Sequence, residues 1–409
     1  MLQTLQARIA APLLSFPRWL ARLAAGSTLL LAACTGNYSP GDLVSGVTGS
    51  ARPAGPPQAS TNIGAGQVKV GLILPLSAAG NAGVAAASMR NAAEMALAEF
   101  NNPDLQLLVK DDGGNAFGAQ QAAQQTLDEG AELILGPLFA QAVSPVGQLA
   151  RSRGVPVIAF STDANVASQG VYLLSFLPES DVDRILGYAT AQGKRSFAAA
   201  VPDNAYGTVV EAAFKQIVPR RGGRVVALER YPLDRAQMQT AVRNVAAAGN
   251  SADAIFLPDG ADSVAAVVQT LGAGGVDPKR VQLLGSGLWD DPQIFSNAAL
   301  DGAWYAAPDS TGFRNFSARY RTRYGQDPVR TATLAYDAVA LVAALTKTQG
   351  AQRFTERVLT NTSGFNGIDG LFRFKPDGTN QRGLAVLRVA PAGGQVISPA
   401  PRSFTGSGT

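Results

Sequence analysis

From residue 68 onwards, apolar runs of strand length alternate with segments of helical period, and this alternation restricts the fold more than any other feature. The run VKVGLILPL (68–76) ends at a proline, and apolar residues then recur at helical spacing over 81–101, at Met89, Ala93, Ala96, Leu97 and Phe100. Strands follow at 105–111, 131–137, 155–160 and 171–176, separated by helices over 118–129 and from Ser144-Pro145, where serine suits the cap and proline the first turn. The alternation then restarts. Strands at 196–202, 224–231, 253–258, 281–287 and 303–308 are separated by helices over 180–192, 206–221, 237–248 and 261–272. Helices near 313–324, 332–346 and 352–360 come next, and LFRFKPDGTNQRGLAVLRV (371–389) reads as a hairpin around Pro-Asp-Gly. Uniform alternation predicts an α/β fold with parallel sheets covered by helices on both faces, and two runs of it predict two doubly wound lobes.

In open sheets of this kind, ligands bind beyond the carboxyl ends of the strands. That directs attention to loops 75–85, 111–117, 136–143 and 160–165 in the first run, and to 202–206, 258–262 and 286–290 in the second. They hold Ser161, Thr162 and Asp163 after the fourth strand, Tyr206 at a helix start in the second run, and Trp289 and Asp290 after Gly287. Each has a plainer role open to it, capping a helix or packing locally.

Composition removes most catalytic chemistry. The chain has no histidine and one cysteine, which excludes Ser-His-Asp and Cys-His arrangements and histidine metal sites. No phosphate loop and no S-x-x-K motif occurs, and Leu284-Gly285-Ser286-Gly287 lacks the first glycine of a nucleophile elbow. Two-carboxylate chemistry stays formally open at Asp111 and Asp112, although paired acids ending a strand more often belong to a solvated turn. No cofactor is expected. The formal charge is +4, yet three of the 34 basic residues (Arg8, Arg18, Arg22) lie in the first 33, so the rest is nearly neutral. With no basic run interleaved with aromatics, nucleic acid is not an expected partner.

Those first 33 residues have the form of an export signal: three arginines without an acid, then eleven uncharged residues from Leu23 to Ala33. The apolar stretch is shorter than the roughly 20 residues a transmembrane helix needs. Leu31-Ala32-Ala33-Cys34 resembles the bacterial lipobox, which makes Cys34 the expected lipidation site and the first residue of the mature chain. Residues 35–67 are dense in Gly, Ser, Pro and Ala and nearly uncharged, and are expected to form a flexible linker spanning roughly 30 Å root-mean-square. The tail 393–409 is expected to be disordered.

The body is similar to the type I periplasmic binding proteins of the Leu/Ile/Val-receptor kind. The likeness rests on VKVGLILPLSAAG, on ILGPLFAQAVSPVGQLARSRGVPVIAFS, on DNAYG and on FSARYRTRYGQDPVRTATLAYDAVALVAAL. Gly136-Pro137-Leu138 most resembles the penicillin-binding protein activator lipoproteins of that family. The resemblance implies lobe one at 68–177 with 303–362, lobe two at 178–302 with 363–392, three crossings between them, and closure around a ligand. It also implies a cleft in which a serine after the third strand holds a ligand carboxylate; here that position is Ala140, followed by Gln141. A threonine of the next loop falls on Asp163, with Ser161 and Thr162 beside it. The lobe-two tyrosine is kept as Tyr206. The acid that pairs with a ligand ammonium falls on Gly287, with Asp290 three residues on. These departures point away from a free amino acid. The resemblance implies a non-enzymatic, lipid-anchored envelope protein that binds a partner such as a peptidoglycan synthase. The alternative is a solute receptor for amino acids or related ligands of an ABC transporter. Thr35, where inner-membrane lipoproteins commonly carry aspartate, implies the outer membrane.

Overall fold

Seven consecutive residues, Val68–Leu74, form β1, and all but Lys69 are buried. The computed structural model describes residues 62–404 apart from Asn102, Leu233 and Asn250. Within them the chain continues through α1 (Asn81–Glu99), β2 (Leu105–Asp111), α2 (Ala116–Asp128), β3 (Leu133–Leu135), α3 (Ala140–Ser152), β4 (Val157–Ala159) and β5 (Val171–Leu173). These five strands make one parallel sheet in the order β2-β1-β3-β4-β5. Strand periodicity sorts the side chains of β1: Val70, Leu72 and Leu74 join the core on one face, Ile73 the core on the other. Gly71 also faces that second side, where a Cβ would lie 2.3 Å from Thr126 Cγ2, so its missing side chain lets α2 approach.

The second lobe runs through α4 (Pro178–Ala191), β6 (Ser196–Pro202), α5 (Ala205–Arg220), β7 (Arg224–Tyr231), α6 (Arg235–Gly249), β8 (Ala254–Phe256), α7 (Ala261–Ala273), β9 (Gln282–Gly285), α8 (Pro292–Phe295) and β10 (Trp304–Ala307). Every residue of β6 is buried, with Ala198 and Ala200 in the core under α6 and α7, and Phe197, Ala199 and Val201 in the core under α4 and α5. The chain then returns to the first lobe as α9 (Ser310–Tyr324), α10 (Ala332–Gln349) and α11 (Glu356–Leu359). A small antiparallel sheet follows, β11 (Phe365–Gly367), β12 (Gly370–Phe374) and β13 (Asn380–Arg382). The last strands are β14 (Ala385–Arg388) and β15 (Gln395–Ser398). The second sheet is ordered β15-β14-β10-β9-β8-β6-β7, with β14 antiparallel to β10 and β15 antiparallel to β14.

The chain passes between lobes three times, after β5, after β10 and after β13. The segment boundaries differ from those expected. β10 pairs with β9 and β14, so 303–307 belongs to lobe two rather than lobe one. The stretch 371–389 is not one hairpin: β12 and β13 pair around the turn, whereas β14 leaves for the second sheet. Residues 365–382, assigned to lobe two from the resemblance, pack on lobe one. Phe372 and Phe374 enter its core, and Asn380 Nδ2 donates to the carbonyls of Leu173 and Ser175, both at 2.9 Å. The tail expected to be disordered contains β15, and Phe404 is buried. The linker ends earlier than expected: Ile63 exchanges backbone hydrogen bonds with Leu107 (3.0 and 2.8 Å). Helix α3 begins at Ala140, one turn before the expected Ser144 cap, and takes Pro145 inside it, which leaves the Gln141 carbonyl without an N–H four residues on. A helix over 352–360 shrinks to α11. Cys34, the signal segment and the linker as far as residue 61 lie outside the described residues. No helix among the described residues is long and apolar enough to cross a membrane.

Gly285 ends β9 against the fully buried indole of Trp289, and a Cβ there would sit 2.0 Å from the ring. Forcing a methyl into that space costs packing energy. Gly285→Ala should therefore lower the unfolding free energy by about 1–3 kcal/mol in urea titration, and an unchanged midpoint would place Trp289 elsewhere.

Candidate functional site

The strands of both sheets end at the gap between the lobes, so their loops form its walls. On the lobe-one side, β3 gives way to Gly136, whose φ of 92° and close approach to the Ile73 carbonyl (2.0 Å from an added Cβ) admit only glycine. The chain then turns into α3, bringing Ala140 and Gln141 to the cleft. Gln141 Nε2 donates to the Gly114 carbonyl at 2.9 Å. After β4, Ser161 Oγ accepts the Asp163 N–H at 3.1 Å. Asp163 Oδ1 in turn accepts the Asn165 N–H at 2.9 Å, capping a single 3₁₀ turn.

On the lobe-two side, Asn204 caps α5 by accepting the Gly207 N–H at 2.8 Å, which sets Tyr206 in the first turn. The Tyr206 hydroxyl donates to Ser286 Oγ at 2.9 Å, and burial holds the phenol well above its ordinary pKa. Gly287 carries no acid, but it does not leave the cleft without one. Asp181, in the first turn of α4, puts Oδ2 2.8 Å from the Gly287 N–H and 3.0 Å from where a Gly287 Cβ would be. The carboxylate is thus supplied by a different element. Burial pushes Asp181 up to about 7, with Glu179 adding to the rise, while the Gly287 N–H and Arg382 oppose it. Asp290 accepts from the Tyr305 hydroxyl at 3.2 Å and is likewise raised by burial.

The floor is the crossing region. Arg330, in the loop before α10, pairs with the buried Asp369 at 2.6 Å. Its guanidinium lies 4.8 Å from the centroid of Phe176 and 4.5 Å from that of Phe313. Arg382 approaches Phe176 as well, at 4.6 Å, and its Nε donates to the Ser175 carbonyl at 2.9 Å. Asp337 on α10 is buried nearby, one oxygen accepting the Ile368 N–H at 2.8 Å and the other without a hydrogen bond among the described residues. Burial and the Asp369 charge push it up to about 7.

Between walls and floor lies a cavity of about 320 Å³. The eight cleft residues expected from sequence, Ala140, Gln141, Ser161, Thr162, Asp163, Tyr206, Gly287 and Asp290, all line it. So do Asp181, Phe176 and Arg330, which sequence reasoning missed. A signal for Asp181 existed: Pro178 opens α4, and acids at 179 and 181 suit a helix N-terminus. Nothing in the stretch around Arg330 marked it. Asp111 and Asp112 stand apart from the cavity and hold their own turn, Asp111 Oδ1 accepting from Gly113 at 2.9 Å and Asp112 Oδ1 from Gly114 at 2.7 Å. Asp112 is buried rather than solvated, and burial lifts it to about 6.

A family model described as "Periplasmic binding protein" matches residues 67–395. Among solved structures, a branched-chain amino acid ABC transporter periplasmic ligand-binding protein from Burkholderia xenovorans superposes with a TM-score of 0.67 at 18% identity, covering 83% of this chain and 97% of its own. A solute binding protein of an ABC transporter from Rhodopseudomonas palustris, in complex with 3,4-dihydroxybenzoic acid, gives a TM-score of 0.59 at 21% identity, covering 81% and 96%. An uncharacterised protein of Rickettsia prowazekii is 23% identical over 173 residues, 42% of this chain and 44% of that protein.

The raised Asp337 makes stability depend on pH. The folded state keeps its proton to about 7, whereas an aspartate in an unfolded chain loses it near about 3.9. Between these values the folded state binds more protons than the unfolded one, so stability falls as pH rises. Asp337→Asn keeps the acceptor for Ile368 and removes this titration. Its melting temperature should match wild type near pH 4 and exceed it at about pH 8. Parallel melting curves across that range would disprove the assignment.

Proposed function

The chain belongs to the periplasmic binding protein family, and from that premise we propose that it is an envelope receptor whose lobes close on a small organic molecule. Members of the family bind small ligands in the cleft between lobes, and this cleft keeps the needed features. The observation that carries the reading is the cavity of about 320 Å³ into which all eight cleft residues converge. Its volume lies at the lower end of ligand pockets, about 300–1,000 Å³. Leu138, Phe160, Phe176 and Leu288 provide apolar surface, while Ser161, Asp181, Tyr206 and Asp290 provide a few directed polar groups. The resemblance of Leu31-Ala32-Ala33-Cys34 to a lipobox supports a lipid tether at Cys34, and Thr35 supports the outer membrane.

Protein isolated without denaturation should release a low-mass organic compound when unfolded, as read by mass spectrometry, and Asp181→Asn should release much less. Equal, empty spectra from both would remove the receptor reading.

A second reading, stimulation of a peptidoglycan synthase, is favoured by Gly136-Pro137-Leu138, which resembles the activator lipoproteins, and by Thr35, the residue that supports an outer-membrane anchor. In that case crosslinked membranes should yield a peptidoglycan synthase with the wild-type chain and none with Cys34→Ser, which should also lose radiolabelled lipid. Label retained by Cys34→Ser would end the anchor proposal, and repeated captures lacking a synthase would end the partner.

A further inference from the structure

We propose that the cleft selects an organic cation that carries no carboxylate, an amine with an apolar body, in place of a zwitterionic amino acid or a carboxylic acid. The inference rests on the receptor reading above and specifies the charge of its ligand.

Among the described residues, Asp163, Asp181 and Asp290 line the cavity against Arg330, and a second cation, Arg382, is buried beneath it on Phe176. Arg330 is already matched. Asp369, which is almost wholly buried, pairs with it, and the rings of Phe176 and Phe313 lie 4.8 and 4.5 Å from its guanidinium. A ligand carboxylate would have to compete with Asp369 while sharing the space with three other acids, and a buried anion without its own counter-charge is strongly disfavoured.

On the lobe-one wall the position that would hold a carboxylate is altered, and of its neighbours Ser161, which accepts the Asp163 N–H, keeps a hydroxyl hydrogen to donate. Ala140 has no hydroxyl, and the Gln141 amide is bonded to the Gly114 carbonyl. Asp163 puts a negative charge in the next loop.

An ammonium meets the opposite situation. Asp181 has Oδ2 on the Gly287 N–H, and the residue lines the cavity. A cation there gains a charge-assisted hydrogen bond. Phe160 and Tyr206 border the same space and add aromatic surface to it.

Four probes of one apolar shape separate the possibilities: isoamylamine, leucinamide, leucine and isovalerate, titrated calorimetrically into the full chain. Both amines should bind, leucine about tenfold or more weaker, and isovalerate weakest. Asp181→Asn, checked for unchanged circular dichroism, should cut amine affinity about tenfold or more while keeping the Gly287 contact. Leucine or isovalerate binding as tightly as the amines would overturn the charge class and leave the receptor reading standing. Amine binding untouched by Asp181→Asn would overturn the assignment to that carboxylate. No heat from any of the four up to roughly 10 mM, where binding is worth under about 4 kcal/mol, would overturn this inference, and the receptor reading would then stand or fall on the compound released on unfolding.

Discussion

Two guanidiniums share one phenylalanine, and the two-lobe arrangement depends on that contact. Arg330 and Arg382 lie 4.8 and 4.6 Å from the centroid of Phe176, which sits in the first crossing between lobes. Arg382 ends β13 just before the third crossing, and its hydrogen bond to the Ser175 carbonyl ties third to first. Like charges on one ring would repel, and Asp369 and Asp337 offset them. Such a cluster adds little net stability compared with apolar packing, because desolvation takes back most of the attraction. What it does is fix geometry: each charge tolerates few positions, so the crossings are held in one relation. Ser175 and Phe176 also line the cavity, so whatever enters the cleft rests directly on this assembly.

The walls above that floor are unequal. Lobe one offers apolar surface and backbone, with its amide and hydroxyl groups largely engaged in their own loops. Lobe two brings the chemistry, with Asp181, Tyr206 and Asp290 each partly satisfied and each raised in pKa by burial. This division follows from helix starts. Asp181 and Tyr206 both sit in first turns, the one in a helix opened by Pro178 and the other in a helix capped by Asn204.

Much of the fold was legible because its signals are local. β6 and β7 run over the residues expected, 196–202 and 224–231: β6 is a continuous apolar run buried throughout, and β7 an edge strand of the sheet rich in β-branched and apolar residues at its start. The cleft loops were legible from topology alone, given that strand ends gather where two doubly wound sheets meet. What stayed hidden is long-range. That β10 pairs with β14 rather than returning to lobe one is a fact about partners, and no property of WYAA reveals it. Asp181 was missed because alignment compares positions in a chain, whereas the carboxylate beside Gly287 comes from 106 residues earlier. The Ser144-Pro145 cap was wrong because Phe139 starts the helix with no side-chain cap, so the stronger local signal did not mark the true boundary.

The interleaving of segments has a consequence for how the molecule is made. β1 to β5 are complete by residue 173, yet the apolar face formed by Val70, Leu72 and Leu74 is covered in part by α10, which begins at Ala332. Lobe two likewise waits for β14 to pair with β10. A chain emerging from its amino end therefore carries an unfinished, oily sheet through most of its synthesis. Contacts so distant in sequence close slowly, and exposed sheet faces aggregate while they wait. Until α10 is present that face lacks its cover, so the first lobe cannot lock into its final packing before the last quarter of the chain has been made.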